Sequence, residues 1–233
     1  MSVDLITSDK MAGNGDKLAP NLIRNFEADS RYKQVRDAAL SIMRDIKLPY
    51  HGGVKHPLEF EKYALAIAAR EAERSQGMQQ QDNLATYLPL ISLAAVLHET
   101  GMSIGHKDHE FESAKIAQKL MGNAGYDATE TALVGDLIFY GTRCFPQAPR
   151  NRLEQIMADA DLANLGTDEF FRNGELLRKE QRVENKLEWV NKQIEFVGNH
   201  AFFTNAAREL FDEQQKKNLG WLQSERNVLL GIA

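Results

Sequence analysis

Residues 84–98 read LATYLPLISLAAVLH. No polar stripe interrupts this run at the helical period, so it is a central helix buried on every side. A helix of that kind needs other elements around it, and the flanking sequence supplies helices. Residues 21–47 place Leu22, Ile23 and Phe26, then Val35, Ala38, Ala39, Ile42, Met43 and Ile46, at three-to-four spacing. They form one or two helices. The stretch PYHGGVKHP at 49–57 is a turn, because its two prolines and two glycines break any helix. Pro57 suits the first turn of the next helix, whose apolar face is Phe60, Tyr63, Ala64, Ile67 and Ala68. Polar residues 72–83 form a loop. Apolar periodicity resumes over 109–121, 128–140 and 150–164, with turns at 122–126 and 141–149. Residues 168–225 give two or three amphipathic helices rich in Glu, Arg and Lys. No strand pattern or tandem repeat interrupts the series, so the fold class is all-α, a bundle of helices joined by short loops. Residues 1–20 have no apolar period and form a flexible N-terminal arm. Residues 21–225 form a single domain, with 168–225 as its C-terminal helical extension.

Composition narrows the function classes. The chain has 233 residues, 43% hydrophobic and 26% charged, with a net charge of -5. No global basic field exists to attract nucleic acid. A small anionic substrate would be held by local cations, helix N-termini or a metal. Cys144 is the single cysteine. It excludes an internal disulfide and a multi-cysteine zinc site, points to a reducing cytoplasm, and is read as a packing thiol rather than a nucleophile. No apolar run has the length needed to cross a membrane, and MSVDLITSDKMAGNGDKLAP at the start lacks the pattern of a secretory signal. The late run FFTNAARELF has the apolar surface to pack on the core, or to make a homodimer contact.

His98 and Glu99 stand at the end of the most apolar helix. Burying a carboxylate is costly unless it is paired or bound to a cation. In isolation the pair reads as a hydrogen-bonded core histidine beside a solvated carboxylate. It is not isolated. His56 opens an amphipathic helix and is able to project into the same core. Asp161 falls within the apolar arc of its helix between Met157 and Leu165, whereas Asp159 falls in the narrow polar gap beside Gln155. Asp161 is therefore the expected buried residue, and Asp159 a solvated or supporting one. Two imidazoles and two carboxylates suit Mn, Zn, Fe, Mg or Ni to different degrees, and one divalent ion there would activate water near neutral pH.

The order His56, His98-Glu99, Asp161 resembles the His…His-Asp…Asp pattern of the HD superfamily of metal-dependent phosphohydrolases. PYHGGVKH is similar to its Tyr-His-Asn…His turn, LAAVLHETG to its apolar helix ending in His-Asp-x-Gly, HEFESAKIA to its following Ser-Ala helix, and LIFYGT to its Leu-Ile…Thr helix. IMADADLANLG and FFTNAARELFDEQQKKNLGWL resemble one branch of predicted phosphohydrolases. The likeness runs over residues 49–222. It implies an HD-domain-like helical bundle with His56, His98, Glu99 and Asp161 as ligands of one divalent metal. The implied function is hydrolysis of a nucleotide or other small phosphate ester. Glu99 stands where the family has aspartate, and its extra methylene allows direct binding, binding through water, or none. The alternative is thus a catalytically impaired nucleotide-binding or regulatory module. Other relatives are di-iron oxygenases or hydratases, and the former need histidines this sequence does not obviously supply. The loop between His51 and His56 is one residue longer than the family's, and Phe145 stands where the branch often has histidine.

Around this constellation, His109 is the candidate to donate a proton or bind phosphate, with Glu99 in a catalytic as well as a ligand role. His106, Lys55, Thr142 and Arg143 are candidate substrate contacts. Against this, His106 and His109 read as exposed loop histidines, Lys55 and Arg143 as solvated cations, and Thr142 as a helix cap. His200 in GNHAFF reads as a packing histidine.

Overall fold

The computed structural model describes residues 26–75, 84–142 and 148–232. Among them are nine α-helices and no strand: α1 (Ser30–Asp45), α2 (Lys55–Ser75), α3 (Leu88–Leu97), α4 (His109–Ala124), α5 (Ala128–Gly141), α6 (Arg152–Asp161), α7 (Phe170–Glu180), α8 (Lys186–Asn199) and α9 (Asn205–Leu230). The expected N-terminal arm at 1–20 lies outside the described residues, as do Arg143, Cys144 and Phe145. No described helix is long and apolar enough to cross a membrane.

Helix α3 is the axis of the bundle. All of Leu88, Leu90, Ile91, Ser92, Leu93, Ala94, Ala95, Val96 and Leu97 are buried, and α1, α2, α4, α5 and α6 all pack against it. Its first turn, Leu84–Tyr87, is a 3-10 turn rather than part of the α-helix, and Pro89 sits at the start where no helical N–H partner is lost. Truncating a core residue such as Leu93 would cost about 2–5 kcal/mol. The single buried polar residue in this helix, Ser92, donates to Glu61 at 2.5 Å. Glu61 also accepts from the Tyr32 hydroxyl and from Arg36, which ties α1, α2 and α3 together.

Local chemistry sets the helix ends. Asp127 and Glu130 form a capping box on α5. Asn151, Asn185 and Thr204 cap α6, α8 and α9 through their side-chain oxygens. Helix α4 stops at Gly125, which takes a left-handed conformation at φ 87°. Helix α2 runs four residues into the stretch expected as loop, and residues 76–83 lie outside the description. Helix α9 continues beyond residue 225.

The C-terminal helices are joined to the rest at two levels. Phe202, Ala206, Ala207 and Phe211 belong to the main core with α2, α3 and α6. Leu165, Phe170, Val190, Val197 and Leu222 form a second, smaller cluster. FFTNAARELF is thus largely core-packing sequence.

Candidate metal centre

Each polar residue of the His56, His98, Glu99, Asp161 and His109 group is delivered by a helix end. His56 stands in the first turn of α2, on the stripe that continues through Phe60, Ala64 and Ile67 into the core. His98 follows the last residue of α3, and Glu99 follows His98. His56, His98 and Glu99 are all buried. Asp161 is the last residue of α6, and His109 is the first of α4. The turn after His98 is clamped to α4 by Ser113, whose hydroxyl donates to the His98 carbonyl at 2.6 Å and accepts from Gly101 N–H at 2.7 Å. Gly101 permits this approach: a Cβ there would lie 2.1 Å from the His109 carbonyl oxygen.

Two groups of potential ligand atoms converge. His56, His98 and Asp161 place theirs within 4.8 Å of one another, and so do His51, His56 and Glu99, with His56 common to both. His98 Nε2 lies 3.2 Å from His56 Nε2, 3.4 Å from Glu99 Oε1 and 3.8 Å from Asp161 Oδ1. The four residues singled out by sequence are therefore brought together. His51, which the sequence places only in a turn, joins them. Its signal was in PYHGGVKH, where a second histidine precedes His56. Glu180 was not anticipated at all. It pairs with His51 Nδ1 at 2.5 Å and accepts the backbone N–H groups of Tyr50 and His51.

The tautomers follow from these bonds. A carbonyl can only accept, so His98 Nδ1 carries the hydrogen it gives to Ala95 O at 2.7 Å. Its neutral ring then turns an unprotonated Nε2 to the centre. His51 Nδ1 likewise faces Glu180, which leaves its Nε2 for the site. Metal-binding histidines are held in this way by an acceptor on the other nitrogen. Phe60 packs edge-on against the His98 ring at 4.3 Å, and Tyr50 covers His56 at 4.9 Å.

Burial and crowding set the charges. Burial, helped by repulsion from His98, depresses His56 to about 3. Burial depresses His98 to about 4, so both rings are neutral. Burial together with repulsion from Glu99 lifts Asp161 to about 7. Burial also opposes ionisation of Glu99, but His109 and the other histidines outweigh it and Glu99 stays a carboxylate. His109 is opposed by burial and favoured by Glu99, 3.6 Å away, which carries it up to about 9. Glu99 Oε2 is buried with no hydrogen-bond partner among the described residues. Two imidazole Nε2 atoms facing each other across at most one hydrogen, repelling carboxylates and a buried oxygen without a partner among the described residues are the environment a divalent cation satisfies. The residues present thus fit a metal, and they could hold one.

The other candidates lie as follows. Lys55 donates to Asn173 at 3.1 Å and pairs with Glu59 and Glu169, so acidic neighbours offset its charge. His106 is exposed and accepts the His109 Nδ1–H through its carbonyl at 3.0 Å. Thr142 caps α5, its hydroxyl donating to Ile138 O at 2.7 Å. Asp159 reverses the burial order expected from its helix face. Its exposure is 0%, while the Asp161 side chain keeps 23%. The reason is tertiary: Asp159 accepts from Phe203 N–H, Thr204 N–H and the Thr204 hydroxyl, and so anchors the start of α9. Asp161 is the one that faces the histidines. Set against models of known protein families, curated proteins and solved structures, the chain matches none of them.

Proposed function

We propose that this chain is a metal-dependent phosphohydrolase of the HD superfamily, acting on a nucleotide or other small phosphate ester. The observation that carries the reading is the convergence of His56, His98 and Asp161 beside Glu99, whose buried Oε2 lacks a partner among the described residues. His56, His98, Asp161 and Glu99 would hold the ion, with His51 beside them. The ion would supply Lewis acidity towards a phosphoryl oxygen and lower the pKa of water.

The chain's own groups account for the remaining steps. Hydrolysis joins a water oxygen to phosphorus and breaks the phosphorus–oxygen bond to the leaving group, which then needs a proton. His109 is protonated at neutral pH and turns Nε2 towards Glu99, so it is the donor best placed to supply it. Glu99 keeps that imidazole charged, because it lowers the free energy of the protonated form. Phe60 packs on the His98 ring and Tyr50 against His56, and the low dielectric around these two buried rings strengthens each electrostatic contact inside. The longer side chain of Glu99 still reaches the group, its Oε1 lying 3.4 Å from His98 Nε2.

The test is metal content followed by turnover. Protein purified without chelator, as wild type and as His98→Ala, Asp161→Ala and Glu99→Ala, is analysed for bound metal and for phosphate release from mono- and diesters. The reading expects about one equivalent in the wild type, lost with His98 or Asp161, and metal-dependent phosphate release. Metal bound without any release would favour the impaired nucleotide-binding module. A wild type that takes up neither Mn nor Zn would end the metal reading.

A further inference from the structure

Helix α7 belongs to the C-terminal part of the chain, yet it touches the candidate centre at both of its ends. Near its start, Asn173 accepts from Lys55, the residue before His56. At its last residue, Glu180 takes three hydrogen bonds from the turn that carries His51. One oxygen meets His51 Nδ1 at 2.5 Å, and the other accepts the N–H of Tyr50 at 2.9 Å and of His51 at 3.1 Å. Burial works against the charge of Glu180, but the His51 imidazole and these N–H groups overcome it and bring its pKa to about 2. It is a carboxylate throughout the working range.

The turn needs such support. It contains Gly52 and Gly53, and Gly53 takes a positive φ of 73°, so its own backbone gives little stiffness. Gly53 N–H bonds to Met43 O and Ile46 O, which fixes the far side of the turn to α1. Nothing in that bond fixes the rotation of the His51 ring. Glu180 does, because a bond at Nδ1 sets both the ring plane and the tautomer, and leaves Nε2 beside His56 and Glu99. A carboxylate on the remote nitrogen also raises the basicity of the ring.

We propose that Glu180 is a positioning residue for the metal centre, acting through His51, so that α7 completes a site otherwise built from α2, α3 and α6. This rests on the metal reading above. Co(II) titration of the full, metal-free chain tests it, with the dissociation constant and the visible d–d absorption as readouts. The proteins are the wild type, Glu180→Gln, Glu180→Ala, His51→Ala and the double variant, with thermal unfolding of each metal-free protein alongside. Glu180→Ala is expected to weaken Co(II) binding about 10–100-fold and to change the d–d band. Glu180→Gln keeps an acceptor without the charge and should fall between it and the wild type. The double variant should bind no more weakly than His51→Ala, because the proposed effect of Glu180 on the metal runs through that ring. A wild-type constant and band in the folded Glu180 variants overturns the proposal, as do additive losses in the double variant. If Glu180→Ala does not fold, Glu180→Gln decides in the same sense. A wild type that binds no Co(II) overturns this proposal together with the metal reading, and that result is distinct from the others.

Discussion

His56 Nε2 and His98 Nε2 face each other at 3.2 Å, while the other nitrogen of His98 is already donated to Ala95 O. One hydrogen can sit between the two rings, or one cation can serve both. Burial depresses both histidines, to about 3 and about 4, so a second proton is not taken up near neutrality. Divalent metal should therefore stabilise the fold. At a free concentration one hundred times the dissociation constant, the gain is about 2.7 kcal/mol. Thermal unfolding with and without Mn or Zn reads it, EDTA should reverse it, and His98→Ala should abolish it.

The pH dependence has two opposed parts. Unfolded His56 and His98 take protons near 6.5, which the folded protein does not accept until about 3 and about 4. Stability of the metal-free protein from this source falls as pH drops below 6.5. Asp161 works the other way. Its folded pKa of about 7 exceeds the model value of 3.8, so its share is lost as pH rises from about 4 to about 7. Two histidines outweigh one aspartate, and the metal-free protein should lose stability on acidification from pH 6.5 to 4. Metal must displace the Asp161 proton, so metal affinity should weaken by about tenfold per unit as pH falls below 7. Calorimetric titration at pH 6 in buffers of different ionisation enthalpy should show about one proton released per ion from Asp161, and a further one where His51, whose pKa Glu180 raises against the effect of burial, also binds the ion.

A proton donor matters most for a poor leaving group. His109→Ala should keep its metal and lose about 10²–10⁴-fold in kcat on an alkyl phosphate ester. The loss on a nitrophenyl ester should be much smaller, because that leaving group departs unprotonated. Equal losses on both esters would remove His109 from the donor role.

Asp159 serves the fold alone. Asp159→Ala leaves the buried N–H of Thr204 and the N–H of Phe203 without their acceptor, a loss of about 3 kcal/mol. The melting temperature should fall by roughly 6–12 °C. Metal stoichiometry at low temperature should not change, in contrast to Asp161→Ala, which should lose metal with a much smaller change in the stability of the metal-free protein.

Gly101 sets the distance between the His98 turn and α4. Its Cβ would fall 2.1 Å from His109 O and 2.7 Å from Ser113 N, both backbone atoms. Gly101→Ala should push the first turn of α4 outward and separate His109 from Glu99. Phosphate release should drop with metal retained, and the histidine NMR titration of His109 should move down towards the ordinary imidazole range.

The sequence by itself determined the class of fold and the skeleton of the site. An apolar run with no polar stripe fixes α3 as the axis, since such a helix is stable only when surrounded. His98 and Glu99 at its end, His56 at the head of an apolar stripe and Asp161 at a helix terminus were legible because helical periodicity states which face each residue occupies. Periodicity does not state what a face meets. Asp159 looked solvated on its own helix, and only the packing of α9 across α6 buries it. His51 sits in a glycine turn, where no period directs the side chain. Its partner Glu180 is 129 residues away, at the end of a helix whose placement depends on the second core of Leu165, Phe170, Val190, Val197 and Leu222. Contacts of that range follow from the packing of whole elements. The tertiary structure alone decided that His51 joins the centre and that Glu180 holds it there.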